Sequence, residues 1–124
     1  MCGRFTLYDK KKVADKIGFD IKPSYNIIPS NHILILTPKP TLFYWGLSPT
    51  WANKPMNLIN ARIETLKEKP AFKKTKPCIV VSNGWYEWKK SNTVGKIPFY
   101  IPVSYTHLRA HETGRNLVCR LLLE

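Results

Sequence analysis

Proline is the residue that most limits how this chain can fold. Ten prolines are spread irregularly along its 124 residues, and the apolar runs between them are short. Proline lacks a backbone N–H donor and fixes φ, so it ends helices and is excluded from central positions of sheets. The pattern predicts an α+β fold of short antiparallel strands with a few short helices, rather than regular βαβ units.

Local patterns predict two features in the first half of the chain. Asp9 is a suitable N-cap for a short helix that ends near Ile17, and Gly18 provides the stop. The apolar run Ile33–Thr37 is typical of a buried strand, and Leu42–Trp45 is predicted to be its hairpin partner after a proline-containing turn.

The second half of the chain carries weaker patterns. A further helix is predicted to begin near Ala61 and to end before Pro70. Asn83–Gly84 is a strong turn dipeptide between two runs with strand character. Three segments are predicted to be strands: 78–82, 85–88 and 98–101.

The balance of charge points to an anionic partner. Lys and Arg number 20 against 8 acidic residues, and the formal net charge of +12 attracts polyanions over long distances. Nucleic acid is therefore the leading class of partner. The alternative is a basic surface that serves only solubility, and charge alone does not separate the two.

Targeting signals and cysteine usage indicate the cellular compartment and whether disulfides or metal sites are expected. Met1–Thr6 has no apolar h-region, and no run of about 18 uncharged apolar residues occurs, so we expect a cytoplasmic protein with no membrane partner. The three cysteines, Cys2, Cys78 and Cys119, are an odd number without paired spacing, which argues against disulfides. No ligand spacing for zinc is present, and neither a metal nor another cofactor is expected. Cys78, within an apolar run, is interpreted as a packed and unreactive residue.

The second residue has chemistry that no other position offers. Removal of Met1 before a small residue would leave Cys2 with an α-amine and a thiol on adjacent carbons. The amine titrates near about 7.7–8.0, so it is partly neutral at pH 7 and can attack an aldehyde to form a Schiff base. The thiol can then close a five-membered thiazolidine. Two alternatives stay open: a thiolate nucleophile of an amidase or peptidase, and a cysteine at this position by chance.

Short motifs extend over most of the chain in one order. They are Cys2-Gly3-Arg4-Phe5, Tyr25-Asn26 with Pro29, Trp45-Gly46-Leu47 with Pro49 and Trp51-Ala52, Asn60-Ala61-Arg62 with Glu64-Thr65 and Phe72, and Gly84-Trp85-Tyr86-Glu87-Trp88. This series resembles the SRAP family, which includes bacterial SOS-associated abasic-site-processing proteins and their eukaryotic relatives. The resemblance implies antiparallel, partly barrel-like β-sheets with a few short helices.

The resemblance also implies a reaction and its residues. Cys2 would attack the ring-opened sugar aldehyde of an abasic site in single-stranded DNA and form a covalent thiazolidine crosslink in the DNA damage response. Asn60 would hold the sugar or the α-amine, and a partly desolvated Glu87 would transfer protons. Two alternatives remain: a cysteine peptidase or amidohydrolase with Cys2 as N-terminal nucleophile, and a noncovalent single-stranded DNA binder.

DNA contacts carry over to further motif positions. The residues expected to bind DNA are Arg4, Asn26, Pro29, Trp45, Arg62 and Trp88. The arginines suit phosphates, whereas the proline and the tryptophans would flank the strand and stack on bases. Each has a structural alternative: the tryptophans are equally typical of a core, Glu87 of a solvent-facing strand, and the asparagines of caps.

The resemblance ends near Pro102. We expect 1–102 to be the N-terminal part of a SRAP domain and 103–124 to be a non-native tail, because it resembles translated adaptor sequence and lacks the family's His-x-Arg-Met-Pro motif. His107-Leu108-Arg109 copies only its first letters. Without the tail's three arginines and two glutamates, 17 basic and six acidic residues remain, so the basic character persists. The expected protein is a monomer, nucleoid-associated when bound to DNA, and the truncation predicts open strand edges and low stability.

Overall fold

The structure is a computed structural model that describes residues 3–103, together with the backbone of 112–113, 116–117 and 122–123. Cys2, His107 and Cys119 lie outside the described residues. The elements are β1 Phe5–Leu7, α1 Lys10–Ile17, β2 Ser24–Ile27, β3 His32–Thr37, β4 Lys39–Tyr44, the 3₁₀ turns Ile63–Thr65 and Pro70–Phe72, β5 Lys76–Pro77, β6 Ile79–Val80, β7 Gly84–Ser91, β8 Gly95–Pro102, β9 Glu112–Thr113, β10 Asn116–Leu117 and β11 Leu122–Leu123.

The strands form antiparallel sheets, which confirms the predicted α+β class. The larger sheet has the order β2-β1-β7-β8, and the second has the order β4-β3-β6. Two further pairs, β10-β9 and β11-β5, are each two residues long on both strands. Among the residues that the structure describes, the sheets do not close into a barrel. No helix in that part of the chain has the length and apolar character needed to span a bilayer.

The predicted helix after Asp9 is confirmed as α1. The Lys12 backbone N–H donates to Asp9 Oδ1 at 3.0 Å, and Gly18 ends the helix with φ of 72°. A left-handed C-terminal residue is the position where glycine costs least. Val13 is the buried residue of the helix and joins the core.

The predicted hairpin of β3 and β4 is also confirmed. The two strands pair without interruption from His32↔Tyr44 to Thr37↔Lys39. Ile33, Leu34 and Ile35 are buried, whereas β4 is mostly exposed. The apolar run therefore specified the buried strand and Pro38 its turn, whereas Pro40 lies within β4 and pairs with Leu36.

The helix predicted from near Ala61 to a point before Pro70 is wrong. This segment contains only 3₁₀ turns of three residues each, and their N-cap residues make no side-chain hydrogen bond. The first turn buries none of its residues. Without a cap or an apolar face packed on the core, the helix has little to stabilise it.

Asn83–Gly84 does not close a hairpin between two neighbouring strands. The predicted strand 78–82 shortens to β6, which pairs with β3, whereas β7 pairs with β1 and β8. The chain therefore crosses from one sheet to the other at this dipeptide. Asn83 Oδ1 accepts hydrogen bonds from the backbone N–H groups of Tyr8 and Asp9, at 2.7 and 3.2 Å.

The core joins the two sheets. Its buried side chains include Phe5 and Leu7 of β1, Ile33 and Ile35 of β3, and Trp85 of β7. Gly84 allows β7 and β8 to pack closely, because a Cβ there would lie 2.5 Å from Tyr100 Oη and 2.6 Å from the Ile101 carbonyl oxygen. One face of the larger sheet, which carries Phe5 and Trp85, packs in the core, and the opposite face carries side chains outside the core.

Candidate functional site

The first described residues lie beside the motif strand β7. Phe5 pairs with Trp85 and Thr6 with Gly84, and the Tyr86 backbone N–H donates to the Arg4 carbonyl at 2.9 Å. The amino-terminal end of β1 therefore runs along the first three residues of β7. Cys2 itself is outside the described residues, and its catalytic role stays a prediction.

Arg4 connects three of the residues predicted to bind DNA. Its Nη1 donates to Asn26 Oδ1 at 2.9 Å, and its guanidinium carbon lies 5.9 Å from the centre of the Trp88 ring. A guanidinium over an indole face is attracted by the ring quadrupole. We call Arg4, Asn26 and Trp88 the arginine cluster. Arg4 directly precedes β1, Asn26 lies on β2 and Trp88 on β7, so neighbouring strands of one sheet bring the three together.

A β-bulge turns two neighbouring side chains of β2 toward this cluster. Phe5 pairs with Ile27 and Leu7 with Ser24, so Thr6 alone faces both Tyr25 and Asn26. Extra residues of this kind break the alternation of side chains along a strand. Asn26 consequently reaches Arg4, while Tyr25 stacks on Tyr8 at 4.6 Å between ring centres.

Tyrosines extend the same face of the sheet beyond the arginine cluster, and sequence reasoning missed them. The Tyr86 ring lies 6.4 Å from Trp88 and 5.2 Å from Tyr100, and its hydroxyl donates to the Tyr25 carbonyl at 3.0 Å. A hydrogen bond with Tyr100 raises the pKa of Tyr8 above its ordinary value. The available signal was the spacing of Tyr86 and Trp88, which are two positions apart on β7 and therefore share a face.

Trp45 does not belong to an exposed binding face. It is 0% exposed, and its ring lies 5.4 Å from Phe5. The prediction that Trp45 stacks on DNA bases is corrected here, because a fully enclosed ring has no face to offer a base. The alternative of a core residue is the one that the structure supports.

Trp45 instead ties together the segments that carry the other site residues. Its Nε1–H donates to the Ile59 carbonyl at 3.0 Å, directly before Asn60. Its own carbonyl accepts from the Ser30 N–H at 2.8 Å, directly after Pro29. Phe5, which its ring contacts, follows Arg4. One buried residue thus contacts three segments of the predicted site, two through its side chain and one through its backbone carbonyl.

Pro29 lies in the turn between β2 and β3. It is half-buried, and the following residue Ser30 has φ of 73°. Asn31 Oδ1 accepts from the Ile28 N–H at 3.1 Å and closes the turn. The structure therefore holds the Pro29 ring in a fixed turn, and its contact with DNA stays a prediction.

Asn60 and Arg62 line a cleft of about 460 Å³. Asn60 is half-buried, whereas Arg62 is exposed at the start of the first 3₁₀ turn. Apolar walls come from Trp51 and Met56, both of which have exposed side chains. A cleft with apolar walls, an amide and a guanidinium suits a ligand with a ring and a negative charge.

Glu87 is half-buried on β7, where it pairs with Phe99 of β8. This burial differs from the alternative of a fully solvent-facing strand residue. Because side chains alternate along a regular strand, Glu87 projects from the face opposite to its neighbours Tyr86 and Trp88. The position is compatible with a carboxylate shielded from bulk water, and its role in proton transfer stays a prediction.

Cys78 has the character expected of a packed thiol. It is half-buried against the core, and burial raises the pKa of its thiol from 9.0 to about 11. The neutral thiol is therefore the form present at physiological pH. In the described part of the chain, no three His, Cys, Asp or Glu side chains come together as a metal site would require.

Comparison with known proteins gives a consistent result. The profile of the family described as SOS response associated peptidase (SRAP) matches residues 1–116, beyond the boundary predicted at Pro102, which stays a prediction. YoaM of Bacillus subtilis strain 168 is 37% identical over 89% of this chain and 57% of its own length. YoqW of the same strain is 36% identical over 89% of this chain and 58% of its own length. YedK of Escherichia coli strain K12 is 32% identical over 82% of this chain and 53% of its own length.

All three relatives bear the name abasic site processing protein, and the chain spans just over half of their length. No solved structure matches the chain. The family profile covers nearly the whole sequence, and the motifs along β1, β7 and the cleft occur within that match. This chain belongs to the SRAP family.

Proposed function

We propose that this protein processes abasic sites by binding single-stranded DNA and forming a covalent thiazolidine with the abasic sugar through Cys2. The observation that carries the proposal is the arginine cluster, in which Arg4 lies two residues after the motif cysteine. Its guanidinium and exposed indole suit a phosphate and a base. The relatives' shared name supplies the abasic site as the substrate.

The proposed chemistry needs no oxidant and no metal. The free α-amine of Cys2 attacks C1′ of the ring-opened sugar aldehyde, and loss of one water gives an imine. The thiol sulfur then bonds to the same carbon, and its proton passes to the nitrogen. Glu87 would take and return protons in both steps, while Asn60 would hold the sugar or the amine. The product keeps the DNA strand attached through a five-membered ring.

Binding in this proposal combines charge and stacking. Arg4 and Arg62 would contact phosphates, and Trp88, which is 39% exposed, would stack on a base. Both kinds of contact tolerate any base, so affinity should depend on salt and little on sequence. A protein with this substrate would act at the nucleoid, and we expect it to act as a monomer.

A denaturing gel tests the covalent step. The protein is incubated with an oligonucleotide whose single uracil has been excised, and no borohydride is added. We expect a heat-stable adduct that Cys2→Ala abolishes and that Cys78→Ala leaves intact. Mass spectrometry should show loss of Met1 and a gain equal to the DNA less one water.

The same preparation separates the two alternatives. A peptidase or amidohydrolase would turn over an amide substrate and lose that turnover after alkylation of Cys2. A noncovalent binder would retain full DNA affinity and give no adduct, with or without Cys2. Absence of an adduct, or retention of Met1, would contradict the proposal.

A further inference from the structure

We propose that the stacked pair Tyr8–Tyr25 is a platform for the nucleobase that adjoins the abasic sugar, with Tyr25 as the contacting ring. This inference rests on the proposed function, since it extends the same DNA path across the larger sheet. Tyr25 belongs to the motif series, but no role was predicted for it or for Tyr8 from the sequence.

The geometry of the pair favours a ligand on one side. The rings are 4.6 Å apart and inclined by only 13°, so Tyr8 covers one face of Tyr25. Tyr25 is nevertheless 65% exposed, which leaves its opposite face to solvent. Exposed aromatic faces of this kind are the usual stacking surface for single-stranded nucleic acid, because every base has a π-face.

The pair is held in place before any ligand binds. The Tyr86 hydroxyl donates to the Tyr25 carbonyl, and the bulge opposite Thr6 fixes the direction of the Tyr25 side chain. Tyr8 is fixed in turn by its backbone N–H, which donates to Asn83 Oδ1 at 2.7 Å. Little conformational entropy is therefore lost when a flat ligand stacks on Tyr25.

Its place next to the arginine cluster identifies the ligand as a nucleotide. Asn26, the neighbour of Tyr25 in the bulge, accepts the hydrogen bond from Arg4. The Arg4 guanidinium is thus hydrogen-bonded to the residue that follows the exposed ring of Tyr25. This arrangement matches a nucleotide, in which a phosphate is linked to a flat base. An apolar peptide would use the ring but would give the guanidinium no anionic partner.

The test couples a protein change to a DNA change. Binding is measured by fluorescence anisotropy with oligonucleotides that carry tetrahydrofuran, which lacks the aldehyde, so that no covalent product forms. With bases on both sides of the tetrahydrofuran, Tyr25→Ala should weaken binding by roughly 5- to 100-fold. Tyr25→Phe keeps the ring and should bind like the natural protein.

The same measurement is repeated with one neighbouring base removed at a time. For one of the two neighbouring bases, its removal should lower the affinity of the natural protein. With that oligonucleotide, Tyr25→Ala and the natural protein should bind with equal affinity. Tyr44→Ala is the matched control, because Tyr44 is also an exposed tyrosine but lies on β4 of the other sheet. It should leave affinity unchanged for every oligonucleotide.

Three results would overturn the platform. They are equal affinity of Tyr25→Ala and the natural protein, an equal loss whether or not either neighbouring base is present, and an equal loss in Tyr44→Ala. Thermal unfolding of Tyr25→Ala and Tyr25→Phe shows whether a loss comes from the fold. The adduct gel is read separately: adduct formation without a Tyr25 effect rejects only the platform, and a Tyr25 effect without adduct rejects only the covalent function.

Discussion

Two tryptophans of the motif series lie in opposite environments, one in the core between the sheets and one on the outer face of the larger sheet. Trp45 is fully enclosed, and its indole N–H is satisfied by the Ile59 carbonyl. Trp88 is 39% exposed, and the Arg4 guanidinium lies over its ring. The same side chain therefore acts as a scaffold in one place and can meet a ligand in the other. A motif match names the residue but does not tell these roles apart.

The largest effect that this comparison predicts is on stability at Trp45. Trp45→Ala should lower the free energy of unfolding by about 3–5 kcal/mol, because it leaves a large cavity in a packed core. Trp45→Phe should lower it by only about 1–2 kcal/mol, since the ring volume is mostly kept and the Ile59 carbonyl loses its donor. Urea unfolding followed by circular dichroism measures both. A loss below about 1 kcal/mol in Trp45→Ala would contradict the assignment of Trp45 to the core.

The opposite pattern is predicted for Trp88. Trp88→Ala should change the free energy of unfolding by less than about 1 kcal/mol, because the ring is partly in solvent. Its affinity for single-stranded DNA should fall by about 1–3 kcal/mol through loss of base stacking. Fluorescence anisotropy at fixed salt concentration measures the affinity. Trp45→Phe is the control, and its affinity for single-stranded DNA should equal that of the natural protein. If Trp88→Ala binds DNA normally, the outer face is not the contact surface.

Sequence reasoning succeeded where the signal is local. The Asp9 cap, the Gly18 stop and the β3–β4 hairpin each depend on residues within a few positions of one another. Their geometry is decided by side-chain capping, left-handed backbone and proline placement. These features could be predicted from the amino-acid sequence with no knowledge of the rest of the fold.

It failed where the outcome depends on distant parts of the chain. Asn83 precedes β7, whose partner β1 is nearly eighty positions away, and its amide bonds to Tyr8 rather than closing a hairpin. The bulge at Tyr25 and Asn26 arises from the register of β1 and β2, which are separated in the sequence by α1. The burial of Trp45 is likewise a result of packing between sheets. Positions of the arginine cluster could be named from motifs, but not their mutual contacts.

A smaller effect, on the salt dependence of DNA binding, is predicted for Arg4, the charged residue of the arginine cluster. Arg4→Ala should reduce the slope of log affinity against log salt by about one unit, as expected for the loss of one phosphate contact. Lys10→Ala is the control, since Lys10 is also basic but is exposed on α1, in an ion pair with Asp20 at 3.1 Å. Titrations at several salt concentrations give the slopes. Equal slopes for Arg4→Ala and the natural protein would remove Arg4 from the phosphate contacts.

The smallest effect is predicted for the thiol that belongs to the core. Burial raises the pKa of Cys78 to about 11, two units above its ordinary value of 9.0, so the folded protein holds roughly a hundredfold fewer thiolates at pH 8. Because the thiolate is the reactive form, iodoacetamide at pH 8 should barely modify Cys78, and modification should increase as pH rises toward 11. Peptide mapping by mass spectrometry reads each cysteine separately, and labelling in urea shows the reactivity of the unfolded thiol.

In the proposed function Cys2 behaves in the opposite way, because an exposed terminal thiol that must attack an imine has to be accessible to reagent. Rapid labelling of Cys2 with little labelling of Cys78 would extend the contrast between core and outer face from tryptophan to cysteine. Labelling of Cys78 at pH 8 as fast as in urea would instead show that β6 opens readily from β3. In that case the short pairing of Ile35 with Val80 and of Leu36 with Ile79 would be too weak to shield the thiol.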